Sequence, residues 1–172
     1  MTNAGTISIG AVTTAPSKGT TVTDQVQWSR MGDCNRYLYN YVQTAAGASA
    51  GSGDYLFSLP AGHSFDSSKV KFYTGAIITT TLVNTYGMGV AHMGYANNSS
   101  TPTAASSGVG KIIPYDATRF RVYTMNIDTQ GGTVQSSAMA SSTGWQLNVA
   151  FISYLFDFIA PIAGQSSSVI IS

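Results

Sequence analysis

Glutamate is missing from this chain, and only 9% of its 172 residues carry charge, against roughly 25% in an ordinary soluble domain. The surface must therefore be built from Ser, Thr, Gly, Asn, Gln and Tyr, which suits a close-packed assembly better than a freely diffusing enzyme. The formal net charge of +1 gives no field to attract nucleic acid, which needs several clustered Lys or Arg. Arg119, Arg121 and Lys111 are too few for that. Little charge repulsion keeps copies apart, so association is easy.

The single cysteine, Cys34, excludes an intramolecular disulfide and a thiolate zinc site, and is expected to behave as a small apolar residue. No apolar run reaches the roughly 20 residues of a membrane-spanning helix. Met1 to Gly5 has neither the basic start nor the apolar core of a secretory signal, so the product is expected to be made in a cytoplasm without a classical export address. No segment sustains the 3.6-residue period of an amphipathic helix.

What remains is strand. Hydrophobic residues make up 44% of the chain, with ten Tyr and seven Phe, enough for a core of pleated, half-buried strands. Strands are predicted at Thr6–Ile9 and from Val22 through Trp28, with a turn at Met31-Gly32-Asp33. The returning strand, Arg36 to Gln43, carries Tyr37, Tyr39 and Tyr41 on one face and Leu38 and Val42 on the other. A strand apolar on both faces is covered on both faces. Leu38 and Val42 are expected to line the core while the tyrosines meet a neighbouring subunit; the alternative is that the tyrosines coat an exposed face.

Further strands are predicted at Asp54–Leu59, Phe72–Val83, Gly87–Tyr95, Ile112–Tyr115, Phe120–Met125 and Trp145–Ile159. The second half of the last is apolar on both faces, the mark of a central, doubly covered strand. Asn97–Gly110 and Asp128–Thr143 read as loops, the first a low-complexity surface segment. Eight or more short strands separated by turn signals at this length predict one all-β domain, a sandwich or a jelly roll. Its expected divisions are an arm over 1–19, the domain over 20–164 and an apolar tail over 165–172.

Three segments in order, Val26-Gln27-Trp28-Ser29-Arg30-Met31-Gly32-Asp33, Gly51 to Gly62 with Asp54-Tyr55-Leu56-Phe57-Ser58-Leu59-Pro60-Ala61-Gly62, and Ala160-Pro161-Ile162-Ala163-Gly164, carry a resemblance. The chain resembles the trimeric jelly-roll domains of viral appendages, found in phage tail fibres and in structural proteins of large algal DNA viruses. These are similar to the complement-component and tumour-necrosis-factor jelly rolls. The resemblance implies an all-β, antiparallel jelly-roll sandwich of about eight to ten strands, a virion location and a homotrimer built through aromatic and aliphatic strand faces. No coiled coil, collagen repeat or β-helix precedes the domain, which favours a minor capsid, decoration or short spike protein; the alternative is a receptor-binding tip that holds host glycan.

The candidate subunit interface is therefore Tyr37, Tyr39, Tyr41, Phe151, Tyr154 and Phe156. Unpaired apolar ends must be covered, and adding a strand to a neighbour's sheet covers them. Ile7, Ile9, Val169, Ile170 and Ile171 are the candidate docking residues for other capsid or appendage proteins, with an intramolecular edge strand as the alternative. Asp157, between Phe156 and Phe158, is expected either to meet Arg30 or Arg36 of a neighbour or to reach water near a strand end.

Catalysis is not expected. The only histidines, His63 and His92, stand in a turn and on a strand face. The aspartates are scattered near turns, where Asp caps the backbone, and no close carboxylate pair offers glycoside hydrolysis. No phosphate loop, metal motif or cofactor site is read. The overlapping sequons in Asn97-Asn98-Ser99-Ser100 are taken as loop composition.

Overall fold

The structure, a computed structural model, describes residues 1–44, 47–74, 88–96, 105–127, 134–138, 147 and 151–165. Ten strands lie among them: β1 (Thr2–Gly5), β2 (Ile9–Ala11), β3 (Thr20–Met31), β4 (Cys34–Thr44), β5 (Tyr55–Ser58), β6 (Gly89–Ala96), β7 (Ala105–Pro114), β8 (Arg119–Ile127), β9 (Val134–Ala138) and β10 (Phe151–Pro161). All pairings are antiparallel. No helix occurs among the described residues. The chain is thus all-β and antiparallel, as its alternation and turn spacing imply.

Nine strands form one continuous path in the order β1-β3-β4-β10-β6-β7-β8-β5-β2, with β9 added beside β8. The path curls until its far parts face each other. Tyr39 of β4 meets Phe120 of β8 edge to face at 5.2 Å, and Phe57 of β5 meets Phe156 of β10 at 4.8 Å. Around these rings the core gathers Tyr37, Tyr41, Tyr154, Phe158, Ile112 and Val122. Edge-to-face and offset pairs favour ring quadrupoles beyond simple burial.

Period-two alternation decides which side chains enter. Along β10, Ile152, Tyr154, Phe156, Phe158 and Ala160 are 0–2% exposed, while Phe151, Leu155 and Ile159 are 38–45% exposed. The neighbouring β6 answers bulk with smallness. Ala91 stands opposite Phe156 and Gly89 opposite Phe158. A side chain at Gly89 would come within 2.4 Å of Phe158 Cβ, so only glycine permits this approach.

The β3–β4 hairpin turns through Gly32, at φ 64°, and Asp33, as its turn residues predict. The first eleven residues behave differently from expectation. In place of one strand over Thr6–Ile9 they supply two, β1 on one margin of the sheet and β2 on the other. Between them Ile7 is buried in the core at 1% exposure, and Asp24 accepts the Ile7 amide at 2.8 Å and the Lys18 ammonium at 2.6 Å. Lys18 also donates to the Ile7 carbonyl. The arm therefore stitches the two margins together.

Three further segments differ from the sequence expectation. Residues 105–110 extend β7 where a loop was expected, and Gly110 lets it approach Tyr123 of β8. Val134–Ala138 form β9 within the second expected loop. Phe72 to Thr74 carry no strand, and the rest of the strand expected over Phe72–Val83, like residues 97–104 and most of 139–150, lies outside the described residues.

Candidate functional site

The outward face of β3, β4, β10, β6 and β7 is the feature that the core leaves over. Phe151, Leu155 and Ile159 recur at every fourth residue of β10, hence on one face. Val90 on β6 and Val109 on β7, 44% and 47% exposed, join them. Half-buried Leu38 and Val42 of β4 lie on the same face. Their positions follow from register: Leu155 opposes Asn40 and His92, Asp157 opposes Leu38 and Val90, and His92 opposes Val109. Large hydrophobics scattered singly on a surface need no explanation, but five on one face of the adjacent strands β10, β6 and β7 make that face the candidate interaction surface.

One ion pair crosses the patch. Arg36 donates to both Asp157 oxygens, Nε to Oδ1 at 2.9 Å and Nη2 to Oδ2 at 2.6 Å. These hydrogen bonds hold the Asp157 carboxyl below the usual carboxylate range. The fork-to-carboxylate geometry is the strong form of such pairs, although both groups are more than 40% exposed and the pair adds little to the stability of the free chain. Asp157 thus finds its arginine within its own chain and also reaches water. Asn40, His92, Gly94, Ser153 and Leu155 line a shallow depression at the centre of the face.

The interface expected from sequence falls mostly on the other side of the same strands. Tyr37, Tyr39, Tyr41, Tyr154 and Phe156 are 0–1% exposed within the single chain, so they have no surface to give a neighbour. The correction has a simple cause. On a strand apolar on both faces the alternation names two faces without saying which is covered, and the curl of the sheet encloses the larger, aromatic one. Of the six, Phe151 alone is exposed. Leu155, Ile159, Val90 and Val109 lie outside that expected interface; for the two on β10 the signal available was its doubly apolar run.

The docking residues divide similarly. Ile7 is buried in the chain's own core and Ile9 is half-buried and paired with Phe57, so the arm is an intramolecular edge. Val169, Ile170 and Ile171 lie outside the described residues.

The buried phenols are held by specific partners. Tyr39 donates to the Ser58 carbonyl at 2.8 Å, and Tyr41 donates to Gln43 Oε1, which also accepts the Gly19 amide. Tyr37 lies 2.8 Å from His63 Nδ1, and Trp28 stands edge-on to the imidazole at 4.6 Å. Burial lowers the pKa of His63 and pushes that of Tyr37 up to about 12. Burial likewise raises Tyr39, Tyr41, Tyr55 and Tyr154. An unfolded phenol ionises near pH 10, so between about pH 10 and 12 the unfolded chain binds fewer protons than the folded one. Stability is then complete below about pH 10 and falls as pH rises. Tyr37→Phe is expected to make that fall shallower by about 1.4 kcal/mol per pH unit, read by urea unfolding at a series of alkaline pH values; an unchanged slope would show that Tyr37 ionises in the fold.

Among the described residues no group of three metal-ligating side chains gathers, and no helix is long and apolar enough to cross a membrane. Set against models of protein families, curated proteins and solved structures, the chain matches none. Its function must therefore be argued from the outward face.

Proposed function

We propose that this chain is a structural protein that acts by packing, assembling with copies of itself through the outward face of β3, β4, β10, β6 and β7. The setting is the one its resemblance implies, a virion, where it serves as a minor capsid, decoration or short spike component in a trimeric jelly-roll assembly. The observation that carries the reading is the patch of Phe151, Leu155, Ile159, Val90 and Val109 on one sheet face of a chain with so little charge.

A second copy is the occupant that fits. From Phe151 to Ile159 the strip runs about 27 Å at about 3.4 Å per residue, and five strands about 4.8 Å apart make it about 24 Å wide. That footprint, about 650 Å² per copy and about 1,300 Å² for two, falls within the roughly 1,200–2,000 Å² of stable specific interfaces. The charge suits it as well: Arg36 and Asp157 place one cation beside one anion, so a neighbouring copy can set unlike charges opposite.

Light scattering over a range of concentrations tests this. A mass near three times 18.0 kDa supports the trimer, a dimer keeps the face but removes the threefold arrangement, and a monomer throughout removes the proposal. Leu155→Asp, which puts a carboxylate at the centre of the patch, is expected to weaken association about a hundredfold or more while the far-UV circular dichroism of the strands is kept. Purified capsids should bind the wild-type protein, and host-surface glycan should not.

A further inference from the structure

We propose that His63 is an acid-released latch: neutral, it fastens residues 60–66 across one end of the curled sheet, and on taking up a proton it lets that segment go. The latch belongs to the single chain and does not depend on its assembly. The segment leaves the end of β5 and crosses the turns at this end. The Leu59 and Phe65 amides donate to the Thr118 and Ala117 carbonyls between β7 and β8, and the Asp66 amide donates to the Pro161 carbonyl of β10. His63 makes the crossing to β3 and β4. Its Nδ1 lies 2.8 Å from the Tyr37 hydroxyl and 3.5 Å from Asn35 Nδ2, and Trp28 of β3 stands edge-on to the ring.

The direction of these hydrogen bonds follows from Asn35. It is fully buried, its Nδ2 donates to the Tyr37 oxygen at 3.2 Å, and its Oδ1 meets no donor among the described residues. An amide nitrogen can only donate. Nδ2 thus supplies the hydrogen that the Tyr37 oxygen accepts, the Tyr37 hydrogen goes on to His63, and Nδ1 is the acceptor that ends the row. Keeping this orientation leaves Asn35 an orphaned buried oxygen, which is costly, so the row is built around an unprotonated Nδ1. A proton there turns the last acceptor into a donor. Asn35, Tyr37 and His63 then all bring donors to one hydroxyl oxygen, and a buried polar cluster left partly unsatisfied is destabilising. His63 is partly exposed, so withdrawing it into water relieves the conflict.

The charged groups at this end are engaged elsewhere. Asp33 and Asp66 lie 3.9 and 3.5 Å from the Lys69 ammonium. Arg30 of β3 donates to the Gly32 and Gln165 carbonyls, and Asp116 of the β7–β8 turn accepts from Arg119. On β4, Cys34 and Arg36 alternate with Asn35 and Tyr37 and so belong to the outward face, where Arg36 holds Asp157. Burial lowers the pKa of His63, while Tyr37, pushed up to about 12, keeps its proton throughout. A histidine released to water titrates near pH 6.5. Because the latched pKa lies lower, the latch is at full strength above about pH 6.5 and weakens as pH falls below it, by about tenfold for each unit of lowering.

Amide hydrogen exchange of the purified chain at about pH 7.5 and about pH 5.5, corrected for the pH dependence of exchange itself, tests the latch in wild type and His63→Gln. The glutamine oxygen can accept from Tyr37 but takes up no proton. Protection of the His63, Phe65 and Asp66 amides is expected to fall about threefold to tenfold in acid in the wild type, while β4 and β10 keep theirs and the variant is the same at both pH values; His63→Asn gives the comparison if the glutamine variant fails to fold. Unchanged wild-type protection overturns the inference, as does a loss that persists in the variant. A loss shared by β4 and β10 would show acid acting on the whole fold and overturns it too. Nitrogen NMR of the His63 ring is the second check: Nδ1 is expected to be bare at about pH 7.5, and a proton found there would reverse the row and remove the latch.

Discussion

Replacing Phe156 with alanine is expected to cost about 3–5 kcal/mol, a large fraction of the roughly 5–15 kcal/mol that ordinarily holds a domain folded. Phe156 is fully buried and touches rings from three other strands: Phe57 at 4.8 Å, Phe120 at 6.1 Å and Tyr39 at 6.2 Å. Across the ladder stands Ala91, which cannot swell to fill the hole, and the rings around it are held by one another and by hydrogen bonds such as Tyr39 to Ser58. The cavity would therefore stay open, and cost rises with the volume that cannot collapse. The control is one residue away. Leu155→Ala, on the outward face, removes a side chain that is already 40% exposed and should cost the isolated chain less than about 1 kcal/mol. Urea unfolding of both variants under conditions that keep the chain monomeric checks the pair. Equal losses would mean that β10 is covered on both sides in the single chain.

The second large effect concerns the arm. Ile7→Ala is expected to lower stability by about 2–5 kcal/mol, because Ile7 is the apolar plug between β1 and β2, and its amide and carbonyl are held by Asp24 and Lys18. A residue waiting on the surface to dock with another protein would show no such loss when the free chain is unfolded. The same denaturation experiment therefore separates an internal seam from an external hook: a stability unchanged by Ile7→Ala would return the arm to the surface.

Much of the fold was legible because its determinants are local. Alternation over Val22–Trp28 and Arg36–Gln43 and the turn at Gly32-Asp33 follow from side-chain period and turn chemistry, and β3 ends and β4 begins where those signals stand. Residues 105–110 were not legible, since Ala, Ser and Gly have low strand preference of their own. They pair because β6 lies beside all of them and β8 beside Val109 and Gly110, and Gly110 is small because Tyr123 is close. The same limit hid the site. Tyr37, Tyr39 and Tyr41 against Leu38 and Val42, or Tyr154 and Phe156 against Leu155 and Ile159, are two apolar rows with nothing in the row itself to say which one turns inward. That choice is made by Phe57 and Phe120, which arrive from β5 and β8 on the aromatic side.

The position of β1 and β2 also sets an order of events. The arm leaves the ribosome before any strand it must touch, and its two halves wait for different partners, β3 and β5. Meanwhile β4 must wait for β10, which pairs residue 44 with residue 151, the kind of distant contact that slows folding. Until β10 inserts between β4 and β6, the nascent chain holds two separate hairpin groups with bare edges. Those edges stay open to pairing with another strand until β10 is in place, so the interval before β10 pairs is when the chain is most exposed to aggregation.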